Sequence, residues 1–181
     1  MKDDNIGIGS LKFFWTIPII LSIHNLEEAL TMPQWMSAQL PTLRSTLPFF
    51  EHLQFSTTQL YVSLFLVTLL PFLVTYFCLR GERTTKKIST LLILQAIIFW
   101  NGLMPHTTGL FVLRMYNPGA MTAILLNIPF SVFLYRRVVR EGIVSKSTVH
   151  NCILIGLAAY LPIVYLNHLL AQILPNLFFV S

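Results

Sequence analysis

Charge is what this sequence has least of: only 10% of its 181 residues are Asp, Glu, Lys or Arg, while 55% are hydrophobic. An average soluble domain carries roughly 25% charged residues. A water-soluble fold of this length cannot hide so much apolar surface, so the bilayer is the expected solvent. Cysteine is nearly missing as well. Cys78 and Cys152 have no metal-binding spacing, and both fall near the reducing ends of their helices, which leaves no disulfide framework to build on. Linkers, internal repeats and low-complexity stretches are lacking, so residues 1–181 read as a single domain. Period-two alternation is lacking too, which argues against a membrane β-barrel.

What remains is a series of long uncharged runs. Crossing about 30 Å of hydrocarbon takes around 20 apolar helical residues. Runs of that size place helices near 11–31, 57–79, 88–113, 118–139 and 151–175. They recur along the whole chain, so a cleavable signal segment does not explain them. The expected fold is all-α, a polytopic bundle of about five transmembrane helices.

The basic residues are unevenly placed. Lys2, Lys12, Arg80, Arg83, Lys86, Lys87, Arg136, Arg137, Arg140 and Lys146 fall on one side of such a bundle, and only Arg44 and Arg114 on the other. The positive-inside rule then puts the amino terminus in the cytoplasm and the carboxyl terminus outside, with the plasma membrane as the expected location. A net charge of +5 suits anionic membrane lipids and calls for no nucleic acid.

Against this apolar background helix 1 reads Ser22-Ile23-His24-Asn25-Leu26-Glu27-Glu28-Ala29-Leu30-Thr31. Each ionised carboxylate near a membrane centre costs on the order of 2.5 to 3.5 kcal/mol, so two of them nearly cancel what the apolar residues of one helix supply. Helix 1 therefore needs polar partners inside the bundle. At 100° per residue, Glu27 and Glu28 lie about 60° to one side and about 40° to the other of His24, so the three form one constellation. Thr31 extends that face outward, and Ile17 and Ile20 give it an apolar floor.

Other helices carry polar residues at the same depth. Helix 3 has Gln95, Asn101, Gly102 and His106, with Pro105 expected to kink it and free a carbonyl. Helix 4 opens with Asn117-Pro118-Gly119, where Asn117 suits the N-cap and Pro118 the first helical position. Its positive N-terminus suits an oxygen-rich or anionic substrate group, and Thr122 and Asn127 follow below it. Helix 5 adds Tyr165, His168 and Gln172 on one stripe. A single intramembrane Asn, Thr or His is commonly just an interhelical hydrogen bond. Two adjacent carboxylates beside a histidine are a costlier feature, and they point to a site between helices 1, 3, 4 and 5.

The His24-Asn25-Leu26-Glu27-Glu28 segment resembles the family of integral membrane proteins named for its His-x-x-Glu-Glu motif. The Asn101 to His106 segment supports the resemblance, and Tyr116-Asn117-Pro118-Gly119-Ala120-Met121-Thr122 is similar to that family's second motif region. The resemblance implies a site and names no reaction. A looser likeness, in architecture alone, is to small membrane isomerases of the emopamil-binding-protein type.

Three kinds of function fit these residues. The first is an enzyme acting by acid-base chemistry on a lipophilic small molecule, by isomerisation, cyclisation or hydrolysis. There Glu27 and Glu28 would share a proton, His24 would orient or relay it, and His106 or Asn101 would stabilise developing charge. Asn117, Thr122, Asn127 and His168 would line the substrate site. The second is a mononuclear zinc or iron site built from His24, Glu27, Glu28 and His106, with His168 as a further candidate. A di-iron centre is disfavoured, because its usual four carboxylates are two more than the spans contain. The third is a proton-coupled carrier or a non-enzymatic membrane subunit, although no inverted repeat supports a carrier. Residues 32–56, rich in aromatics and broken by Pro33, Pro41 and Pro48, are expected to be an interfacial loop that could act as a lid.

Overall fold

The computed structural model describes residues 8–46, 56–82 and 84–178, and among these every regular element is helical. A 3-10 segment, Ile8–Trp15, leads into α1, Thr16–Thr46. Then come α2, Thr57–Leu79; α3, Thr85–Leu113; α4, Ala120–Arg140; and α5, Lys146–Phe178. Helices α2 to α5 are long and apolar enough to cross a membrane. The polar run from Ser22 to Glu28 dilutes α1 below that standard. The protein is an all-α helical bundle, as its apolar runs predict.

Local chemistry explains several of these boundaries. Ser56 opens α2 with a capping box, its hydroxyl accepting from the Gln59 amide while the Gln59 side chain accepts from the Ser56 amide. Thr84 and Ser145 accept from the Lys87 and Thr148 amides at the starts of α3 and α5. In α3 the expected kink at Pro105 is a π-helical segment, Gly102–Thr107. Thr107 and Thr108 side chains donate to the Gly102 and Leu103 carbonyls there. A second π-helical segment, Ala123–Asn127, sits opposite in α4.

Two expectations need correcting. Residues 32–46 are helix rather than loop: α1 runs on through Pro33 and Pro41 to Thr46. Trp35 anchors this extension, its indole N–H donating to the Tyr116 carbonyl at 2.9 Å. The aromatic residues Phe49, Phe50 and Phe55, with Pro48, lie outside the described residues. The N-cap assignment for Asn117 also fails. Helix α4 begins only at Ala120, after Gly119, and Asn117 turns its side chain towards α3 instead.

Burial divides the bundle into two halves. Near the end that carries the basic turns, Leu11, Phe14, Ile17, Leu21, Leu91 and Leu134 form a close apolar core with their neighbours. Gly156 of α5 lies directly against Ala96 of α3, an approach that leaves no room for a Cβ. Arg137 stacks over the Phe13 ring at 4.0 Å and pairs with Glu141. The opposite half holds His24, Glu28 and His106, while Thr75 and the hydrogen-bonded Gln95–Ser131 pair are polar residues buried elsewhere in the bundle. That division lets an apolar foundation hold a polar cluster in place.

Candidate functional site

The cluster forms where α1, the π-helical segment of α3 and the start of α4 meet. His24, Glu28 and His106 are all buried, with 0%, 9% and 5% of their surface exposed. Each offers one ligand-type atom, and the three atoms lie within 4.8 Å of one another. The two imidazole rings meet edge to face with centroids 4.6 Å apart. His106 Nε2 is 3.4 Å from Glu28 Oε1.

Hydrogen bonding determines which nitrogen of each ring carries the proton. His106 Nδ1 is 2.6 Å from the Pro118 carbonyl oxygen, which can only accept, so Nδ1 is the donor. The Thr122 hydroxyl has one proton, and its shortest acceptor is Glu27 Oε2 at 2.6 Å. Thr122 Oγ1 therefore accepts from His24 Nδ1, which lies 2.8 Å away. In its neutral form each ring then presents a bare Nε2 lone pair. That of His106 faces Glu28 and lies 3.2 Å from the Asn101 amide nitrogen. That of His24 is fully buried and has no hydrogen-bond partner among the described residues, while the Gly119 backbone also lies beside the ring.

Glu27 plays a different part from its neighbour. Its carboxylate accepts from the Tyr116 hydroxyl at 2.7 Å, the Thr122 hydroxyl, and the Met121 and Thr122 amides. It therefore occupies the positive N-terminus of α4 that the sequence had suggested for a substrate anion. The angular separation of Glu27 and Glu28 sends one to α4 and the other to His106.

The loop between α3 and α4 is shaped for this packing. Gly119 has φ +81°, and a Cβ placed on it would lie 2.7 Å from His24 Cε1 and 2.8 Å from His106 Nδ1. Only glycine lets the backbone turn there and lie against both rings. Asn117 donates to the Pro105 carbonyl at 2.6 Å, so it satisfies an acceptor at the π-helical segment and ties the loop to it.

Not every sequence candidate joins the cluster. His168 belongs to no gathered group of metal-binding residues; its Nε2 lies 2.7 Å from the Gln172 amide nitrogen on its own helix. Tyr165 is exposed. The His24, Glu28 and His106 group comes from α1 and α3 with α4 against it, and α5 brings the buried Tyr160 within electrostatic reach of Glu28. Asn127 is fully buried beside Gly102, and neither atom of its amide has a hydrogen-bond partner among the described residues. Asn25 faces away and donates to Thr68 of α2. Tyr116, whose hydroxyl ties Glu27 to Thr31 of α1, was not singled out from the sequence. Its place in the Tyr116–Thr122 stretch was the available signal. Beside it a groove of about 330 Å³ is lined by Thr31, Gln34, Trp35, Gln39, Met115 and Tyr116.

The His24-x-x-Glu27-Glu28 segment is thus the side of the cluster supplied by α1. The model of a family described as proteins of unknown function with an HXXEE motif matches residues 15–134. The chain belongs to the HXXEE family. That match takes in α1 through most of α4, and so every residue of the buried cluster. The chain is also similar to the uncharacterized protein YrkK of Bacillus subtilis, at 26% identity over 149 residues, covering 80% of this chain and 88% of that protein. No solved structure matches.

Proposed function

We propose that this HXXEE protein is a membrane-embedded enzyme in which His24, Glu28 and His106 hold a single zinc or iron ion and act on a lipophilic substrate. One observation carries the reading: among the described residues the buried His24 Nε2 has no hydrogen-bond partner, and His24 stands beside a second imidazole and a carboxylate with ligand atoms within 4.8 Å of one another. A buried acceptor left unpaired costs about 1 to 3 kcal/mol. A lone pair of His106 facing a carboxylate oxygen at 3.4 Å also needs a proton or a cation between them.

The surroundings match what a metal-binding histidine requires. In such sites the other ring nitrogen donates to an outer acceptor, which fixes the tautomer. Here the Pro118 carbonyl serves His106, and Thr122, backed by Glu27, serves His24. Ligand atoms around tetrahedral zinc at ~2.0 to 2.1 Å stand about 3.4 Å apart, so the cluster must tighten by about 1.4 Å at its widest edge. Asn101 would release His106 Nε2 and become free to bind a substrate oxygen. A bound ion supplies Lewis acidity and leaves a coordination position open to water or substrate. The protein's own residues orient the rings, exclude bulk water and keep Glu27 as a fixed negative charge at the start of α4.

In this reading α1 crosses the bilayer with the other four helices, its carboxylates sheltered by α3 and α4. The basic turns lie on the cytoplasmic side of the plasma membrane, and the cluster sits in the outer half.

Metal analysis of the purified protein tests the proposal. We expect about one zinc or iron per chain in the wild type, and loss of that metal in His24→Ala, Glu28→Gln and His106→Ala. Glu27→Gln should keep a weakened site. Metal content that is negligible after reconstitution, or unchanged across the three variants, would overturn it.

A second reading uses the same atoms without metal. The contact between Glu28 and His106 would then carry a shared proton for acid-base isomerisation. Activity that survives complete metal removal and disappears in Glu28→Gln would favour it.

A further inference from the structure

The groove beside the cluster has a polar lining with no charge. Thr31, Gln34, Gln39 and Tyr116 present hydroxyl and amide groups, and Trp35 and Met115 complete the wall. Its size, about 330 Å³, is near the lower end for small-molecule pockets. That is room for a head group rather than a whole lipid. An apolar track leads to it, because Ile19, Ile23, Leu26 and Leu30 are exposed at helical spacing along α1. Gln34, one turn beyond Leu30, begins the groove.

We propose that this groove takes the uncharged, hydroxyl-bearing head of an amphiphile whose hydrocarbon tail lies along the Ile19–Leu30 stripe of α1. The inference names a substrate class for the buried site, and its catalytic meaning rests on that reading. The electrostatics argue for a neutral head. Among the described residues lining the groove an anion would meet no cation, and it would face the Glu27 carboxylate behind Tyr116. A cation would reach only Glu27, whose oxygens already accept from four donors. Hydroxyl groups, by contrast, can both donate to and accept from the amides of Gln34 and Gln39.

The groove also connects to the buried histidine. Tyr116 and Thr122 both donate to Glu27, and Thr122 accepts from His24. A head group that draws the Tyr116 hydroxyl to itself would remove one of the donors on Glu27, so Tyr116 is the positioning residue through which occupancy reaches the cluster. Tyr116 lies between Arg114 at φ 50° and Gly119 at φ 81°. These two left-handed positions set the path of the short loop that carries it.

The test uses the full chain in phosphatidylcholine nanodiscs with two photoreactive probes of equal chain length, a monoacylglycerol and a fatty acid. We expect the monoacylglycerol to label residues 31–39 and 115–116 saturably, with the fatty acid at least several-fold weaker there. Loss of the two amide hydrogen bonds in the double variant Gln34→Leu, Gln39→Leu should lower labelling by the neutral probe roughly tenfold. Labelling of the exposed Leu161 and Leu166 on α5 should stay constant and reports on correct folding. Equal labelling by both head groups, or labelling that unlabelled monoacylglycerol does not compete away, would overturn the inference. That comparison uses the unaltered protein and so decides without any variant. Failure of groove labelling in protein that still holds its metal would sink this inference alone. Groove labelling that persists in protein unable to bind metal would support it while removing the proposed function.

Discussion

Replacing Thr122 with valine isolates the outer hydrogen bonds from the ligands themselves. Valine keeps the shape of the side chain and removes one hydroxyl, which accepts from His24 Nδ1 at 2.8 Å and donates to Glu27 Oε2 at 2.6 Å. The Glu27 carboxylate keeps three of its donors, so α4 stays docked on α1. The N–H of His24 loses its side-chain acceptor, with the Gly119 backbone still beside the ring, so the penalty is at most about 1 to 3 kcal/mol and the ring loses the contact that fixes its tautomer. Outer-sphere partners of metal-binding histidines are typically worth 10- to 100-fold in affinity, or about 1.4 to 2.8 kcal/mol. Titration against a competing chelator should therefore show metal binding weakened by roughly that factor, with Thr122→Ser restoring most of it. A valine variant that folds and binds metal within about twofold of wild type would refute the tautomer argument.

Three other perturbations follow from the same geometry. Gly119→Ala should abolish the site, because the Cβ would stand under 3 Å from both imidazoles and the φ is unfavourable for alanine by about 1 to 2 kcal/mol; unchanged metal content and thermal stability would contradict this. Asn127→Leu should leave the fold intact and raise the unfolding temperature, since it removes two buried amide atoms that lack partners. A lowered unfolding temperature would mean that Asn127 has a bound partner. Burial, together with the Glu27 carboxylate that accepts from its hydroxyl, raises the pKa of Tyr116 above the ordinary tyrosine value. The stability from this phenol is thus fully present below pH ~10 and lost as pH rises through the higher folded value. Comparison of alkaline unfolding with that of Tyr116→Phe measures the contribution, and identical alkaline profiles would count against it.

Much of the fold is readable from residue type alone, because apolar runs longer than a soluble helix requires leave few alternatives to a bundle. The α1 face of the site is equally legible: helical periodicity joins His24, Glu27 and Glu28 without any tertiary knowledge. Pro105 announces the irregularity of α3, although not that it takes π-helical form. What periodicity cannot supply is partner choice. Glu27 and Glu28 look equivalent in sequence, yet one accepts from the start of α4 while the other meets His106. His168 lies on a polar stripe, but α5 packs against α2 and α3, and the cluster forms without it. The prolines at 33 and 41 signal a loop, since each costs a helix interior about 3 kcal/mol, yet helix runs through both, and Trp35 anchors the segment to Tyr116.

The central claim is that His24, Glu28 and His106 share one metal ion. X-ray absorption spectroscopy of the purified, metal-loaded protein tests it most directly. The account predicts nitrogen and oxygen ligands at ~2.0 to 2.2 Å with the scattering signature of two imidazoles in the wild type, and no such shell in His24→Ala, which should not hold the ion. A sulfur ligand, or a shell without imidazole that is the same in wild type and variant, would contradict it.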